Sequence, residues 1–263
     1  MDSSIIHHFK FYMPPSTAEM NGLDRLLYTF SMQKGVKFNI KNRLDFNEFM
    51  YCEGCLNPYY RGRLHGLVAL SIPIGWYFIL LNCETQFTRF IYSVYMFCNF
   101  ISYSTSYFFH RESFKYGPDI ENLSIKLDRF FIFLNISGNF TPVSVFFLEK
   151  TGVYFLTILW SGSFIEFLRI FGFNRNKWWE PMLFGATAFL FTGELYETMT
   201  PYEFWMTMSS YLASIIGGIC FGLKIPDTLP EIWGYHEYYH LSVSIAAVIV
   251  YFINYSLSTH SIS

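Results

Sequence analysis

Charge is scarce in this chain. Aspartate, glutamate, lysine and arginine make up 14% of its 263 residues, where a soluble globular domain carries roughly 25%. The net charge is near −2, and no basic stretch interleaves with aromatics, so nucleic acid is not an expected partner. Cysteine is scarce too. Five residues, an odd number, suggest no disulfide framework. Cys52 and Cys55 form one C-x-x-C, but a zinc ribbon needs a second pair and none follows, so they read as plain thiols. The opening residues, MDSSIIHHFKFYMPP, lack a cationic region followed by an apolar one, and no cleavable signal peptide is expected.

Apolar residues are plentiful: 52% of the chain is hydrophobic and 22% aromatic, with 31 Phe and 20 Tyr. They are bunched into long runs, as in a chain that crosses a bilayer. Seven apolar segments stand out, near 64–81, 90–110, 126–147, 153–171, 181–195, 204–223 and 234–257. The fifth falls short of the roughly 20 residues a span needs and is expected to extend toward Thr200. Breakers separate the segments, among them KYGPD, FGFNRN and KIPDTLPE. The expected fold is all-α, an integral-membrane bundle of seven transmembrane helices over 61–257. A polar tail (1–60) precedes it and a short one (258–263) follows. Within the first tail, Ser16 and Glu19 resemble a capping box. Met20, Leu23, Leu27 and Phe30 follow at helical spacing and Gly35 supplies a stop. That pattern predicts a short amphipathic helix, lying on the membrane or packed on its neighbours.

Basic residues orient the bundle. With seven spans, sixteen of the 18 lysines and arginines fall on the side of the amino-terminal tail, and only Arg89 and Lys150 face the other side. The tail is therefore expected in the cytoplasm and the carboxyl terminus across the membrane. The far side is acidic where it is charged, at Glu194, Glu197 and Glu203.

The stretch GYHEYYHLSV contains a complete H-E-x-x-H, by which metalloproteases offer two histidines to zinc beside a glutamate base. His236 and His240 stand one turn apart, roughly 6 Å along the axis, on one helical face. His110 closes the second span at the same leaflet, Ser106 lies one turn earlier, and Asp128 opens the third span there. Singly each has a plainer reading: a histidine at a span end is interfacial, and an aspartate beginning a helix is a cap. Together they place five polar groups from three helices at one depth, which is costly unless the groups face inward and find partners. Zn2+ held by His110, His236 and His240, with water in the fourth position, would satisfy them. Asp128 would then hold that water or take its proton, and Ser106 would donate to a developing oxyanion. His65 is also at this end, with a structural role expected. His7, His8 and His260 fall in the tails and read as solvated.

Four stretches resemble the hemolysin III family and the related progestin and adipoQ receptors, with alkaline ceramidases as distant relatives. NPYYRGRLHG is similar to the P-x-x-R-G-x-x-H that leads into the first span, through Pro58, Arg61, Gly62 and His65. STSYFFH supplies S-x-x-x-H through Ser106 and His110. KLDRFFIFLNISGNFTP matches the third span at Asp128, Gly138, Thr141 and Pro142, and GYHEYYHLSV matches the seventh at His236 and His240. The resemblance implies a seven-helix bundle with a cytoplasmic amino terminus, and zinc on the same three histidines with Asp128 on its water. Arg129 stands where many hemolysin III members have histidine, so that histidine's role is not carried over. Glu237 is a frequent neighbour in the family's own H-x-x-x-H, which weighs against a protease. The expected function is hydrolysis of a lipid amide or ester, with membrane lipids as partners. The alternatives are a receptor or sensor with structural zinc, or a membrane-permeabilising protein. The last ranks lowest because no continuous polar stripe runs through the spans.

Overall fold

Each of the seven predicted segments folds as helix. The computed structural model of the chain describes residues 58–173, 177–226, 228–229 and 232–258. The predicted helix on Met20, Leu23, Leu27 and Phe30, the Cys52/Cys55 pair, and His7, His8 and His260 lie outside those residues. Among the described residues the regular elements are helices, and the one strand-like pairing is an isolated bridge between Leu229 and Trp233.

Helix α1 (Arg63–Asn82) buries His65, Ala69, Ile72 and Ile79 along one face, while Leu67, Leu70, Ile74, Tyr77 and Leu81 are exposed on the other. A helix apolar on both faces suits a lipid-facing position. Helix α2 (Gln86–Arg111) starts at a reciprocal capping box between Thr85 and Thr88, which satisfies two backbone donors that begin a helix without partners. A 3-10 turn (Ser113–Tyr116) leads to Gly117 and then Pro118, the first residue of α3 (Pro118–Phe146). Proline suits that position because its missing N–H would be unpaired there anyway. Helix α4 (Gly152–Phe173) follows.

The fifth segment is not one rod. It consists of α5 (Glu180–Ala186), a 3-10 stretch (Thr187–Phe191) and α6 (Thr192–Thr198), so it extends past 195 toward Thr200, as its length requires. Helix α7 (Pro201–Leu223) opens with a capping box between Thr200 and Glu203, and α8 (Tyr235–Ser258) ends the described fold. By length and composition α1, α4, α7 and α8 can cross a membrane. Helices α2 and α3 are longer, at 26 and 29 residues, but more polar.

Two apolar cores result. One joins α1, α2 and α8 through Ala69, Ile72, Ile79, Tyr92, Tyr95 and Ile253. The other joins α3, α4, the 180–198 segment and α7 through Phe140, Phe155, Leu159, Ala188, Leu195 and Phe204. Helices α3 and α4 are also stitched by Ser137, whose hydroxyl meets that of Ser163 at 2.8 Å, while Ser163 donates to the Phe133 carbonyl at 3.1 Å. Small hydroxylated residues of this kind hold helices together where lipid gives them no hydrophobic drive to associate.

One boundary differs from the sequence expectation and bears on the site, and a second agrees with it. Helix α3 begins at Pro118 rather than near residue 126, so Asp128 does not open it but stands about 15 Å further along. The polar residues Asp119, Glu121, Asn122, Ser124 and Lys126 are helical despite their polarity. Hydropathy marks where a helix is apolar, whereas the backbone hydrogen bonding continues beyond. Helix α8 starts at Tyr235, beside the expected 234, which places His236 in its first turn.

Candidate metal centre

Two helix ends meet at one point. His110 is in the last turn of α2, and His236 and His240 occupy the first two turns of α8. All three are buried. Their rings stand in a triangle, with centroids 5.0 Å apart for His110–His236, 5.0 Å for His110–His240 and 4.7 Å for His236–His240. One ring nitrogen of each lies within 4.8 Å of the others.

What lets α2 approach so closely is Gly62, just before α1. Its φ of 75° is in the left-handed region, and a Cβ built there would lie 2.7 Å from the His110 Cβ. Any other residue meets both conformational strain and a collision.

The donors fit a metal ion. The Nδ1 atoms of His236 and His240 are buried with no hydrogen-bond partner, and a buried polar group left so costs roughly 1–3 kcal/mol. A cation taking imidazole lone pairs offsets that cost. Tetrahedral zinc with bonds of about 2.0–2.1 Å holds its nitrogens roughly 3.4 Å apart, so side-chain rotations of about 1 Å spread over three residues close the observed triangle. Three nitrogens and no thiolate suit zinc, and leave a coordination position open.

Ser106 and Asp128 border the triangle. The Ser106 hydroxyl sits 2.9 Å from His65 Nδ1, and the His65 ring stacks on His240 with centroids 3.8 Å apart. The Asp128 carboxyl, partly buried, faces the Ser106 hydroxyl and lies close to Tyr239. The structure thus brings together all five residues singled out from the sequence. His65 is not one of the three converging donors; it connects Ser106 to the stacked rings.

Glu237 answers the question that HEYYH raises. Its Oε1 accepts from Arg61 Nε at 2.5 Å and its Oε2 accepts from the Gly234 backbone N–H at 2.9 Å. The side chains are 1% and 0% exposed. Both carboxylate oxygens are engaged in joining the start of α8 to the turn before α1, where Tyr60 N–H also donates to the Ile232 carbonyl at 3.3 Å. Glu237 is therefore a strut, and a protease-type base is absent from it. The basic-residue count places Arg61 only on the tail's side of the membrane; the fold buries it.

A second polar cluster escaped the sequence reading. Asn99 Nδ2 donates to Asn139 Oδ1 at 2.7 Å, Asn139 Nδ2 to Asn135 Oδ1 at 2.9 Å, and Asn135 Nδ2 to Asn99 Oδ1 at 3.1 Å. The signal was in the spacing. Asn99, Ser106 and His110 on α2, and Asp128, Asn135 and Asn139 on α3, both repeat at intervals of seven and eleven residues, within about 20° of whole turns. A polar stripe thus runs between α2 and α3 for part of their length.

The haemolysin-III related family matches the chain over residues 54–251, a span that takes in the Arg61 strut, both polar clusters and the three histidines. A multi-pass membrane protein follows from the apolar helices and this match together, and the chain belongs to the haemolysin-III related family.

Proposed function

We propose that this protein is a seven-span membrane hydrolase that uses zinc to cleave an amide or ester bond of a membrane lipid. The observation behind it is the convergence of His110, His236 and His240 with Ser106 and Asp128 at their side. A zinc clamp alone would need no hydroxyl and no carboxylate there. In this reading the 180–198 segment counts as a span, the amino-terminal tail is cytoplasmic and the carboxyl terminus lies across the membrane, as the basic residues suggest.

Bound zinc supplies a Lewis acid and lowers the pKa of a coordinated water to about 7. The chain's own residues divide the remaining work. Asp128 takes the proton from the attacking water and returns it to the leaving amine or alkoxide. Ser106, held by His65 through the 2.9 Å contact to its hydroxyl, donates to the oxygen on which charge develops. The apolar bundle excludes bulk water and admits the lipid from the side. Arg61 and Glu237 keep the start of α8, and with it both of its histidines, in register with α2.

Zinc analysis of detergent-purified protein, beside a His110→Ala variant, tests the ligand set: one zinc per chain is expected, and a marked loss in the variant. Turnover of a lipid amide and ester panel by the zinc-loaded protein tests the chemistry. Asp128→Asn is expected to keep zinc and lower turnover by about 10²–10⁴-fold. Loaded protein that turns over nothing on a broad panel, yet loses stability on chelation, overturns the hydrolase and favours a sensor with structural zinc.

A further inference from the structure

The asparagine ring does not end the polar stripe. Asn139, which belongs to the ring, also lines a small void between α3, α7 and α8, together with Thr207, Tyr211 and Asn254. Two further buried polar atoms there lack hydrogen-bond partners: the Tyr211 hydroxyl and Asn254 Oδ1. Asn254 is fully buried. Its Nδ2 donates to the Val250 carbonyl at 2.9 Å, and Tyr95 faces its amide, but neither contact serves Oδ1. On Asn139, one N–H and one lone pair are used within the ring, and an amide has two of each.

The size and chemistry of the void decide what occupies it. Its volume is about 20 Å³, room for one water, which needs about 10–15 Å³, and far too small for a lipid group. Its lining holds no carboxylate, so a cation there would be uncompensated in a low-dielectric setting. Buried water is stable where it finds two to four polar partners, and this site offers three.

We propose that the void is a permanent hydration site, in which a single water accepts from the Tyr211 hydroxyl and donates to Asn254 Oδ1 and toward Asn139. Through it the paired amides of α2 and α3 are joined to α7 and α8, so that the two apolar cores are tied near the middle of the bundle. Asn254 lies about 21 Å along α8 from His240, and the site is independent of the histidines.

The sign of one substitution separates a hydrated void from a dry one. If water fills it, Tyr211→Phe removes a partner of that water and lowers the melting temperature in nanodiscs by roughly 2–6 °C. If the void is dry, the same change removes an unsatisfied hydroxyl and raises it. In an Asn254→Leu background the Tyr211→Phe effect should shrink or vanish, since both groups act through one water; helix content by circular dichroism confirms that each variant folds. Pulsed radiolytic labelling supplies a readout on the wild-type chain: bound water makes Tyr211 reactive, whereas Tyr92, whose hydroxyl is equally buried and unpartnered, stays protected. A drop in melting temperature with Tyr211 labelling establishes the site. A rise, no shift, or protection of Tyr211 equal to that of Tyr92 overturns it.

Discussion

The histidine triangle and the asparagine ring sit on the same two stripes of α2 and, through Asp128, α3, yet they solve opposite problems. In the ring each amide donates to the next and accepts from the one before, so three polar side chains satisfy one another inside an apolar bundle. In the triangle His110 meets the other two imidazoles edge-on, and two nitrogens are left without partners. A polar cluster that closes on itself is glue between helices. One that stays open, with all three imidazoles buried and two nitrogens unpartnered, could bind a metal ion.

Substitutions in the two clusters should therefore differ in kind as well as in size. The largest effect is expected from His240→Ala. Apparent binding energies of about 10–16 kcal/mol are reached at structural zinc sites, and the variant should lose both zinc and the response of its melting temperature to chelator. Were that response unchanged, the triangle would be no more open than the ring.

Glu237→Ala should follow. Removing it leaves Arg61 buried beside an uncompensated gap, a change that costs about 3–5 kcal/mol when one partner of a buried pair is lost, read as the unfolding free energy in nanodiscs. The milder Glu237→Gln is expected to keep zinc and to retain turnover. A zincin-type base predicts the reverse pattern for Glu237→Gln, with normal stability and abolished activity. Asn99→Leu should be the smallest of the three, about 1–2 kcal/mol for two interhelical bonds, with zinc content untouched. A loss of zinc in Asn99→Leu would join the two clusters into one cooperative unit and erase the contrast.

Much of the centre was legible in the chain. An i, i+4 histidine pair must share a helical face, and His110 with Ser106 must share another, whatever the rest of the fold does. The burial of Arg61 was not legible there, because a count of basic residues is blind to partners and the carboxylate that engages it lies 176 positions away. The hidden helical turns before Asp128 were missed because polar residues carry no hydropathy signal, although their backbone bonds within α3 as well as any. The asparagines were passed over singly. Their meaning lies in pairs 36 and 40 residues apart and in a Gly138 that lets α3 approach Cys98 of α2.

The sequence by itself determined the helices, their apolar faces, the caps at Thr85 and Thr200 and the turn that sets His236 and His240 on one face, because these depend on residues within a few positions of one another. The tertiary structure alone decided which faces meet: that His110 completes the triangle, that Glu237 is engaged by Arg61, and that three amides close a ring. Those outcomes depend on how each helix is rotated and offset against its neighbours. An apolar pattern on nearly every face, the condition of life in lipid, leaves that rotation open, and only the fit of glycines, hydroxyls and paired polar groups fixes it.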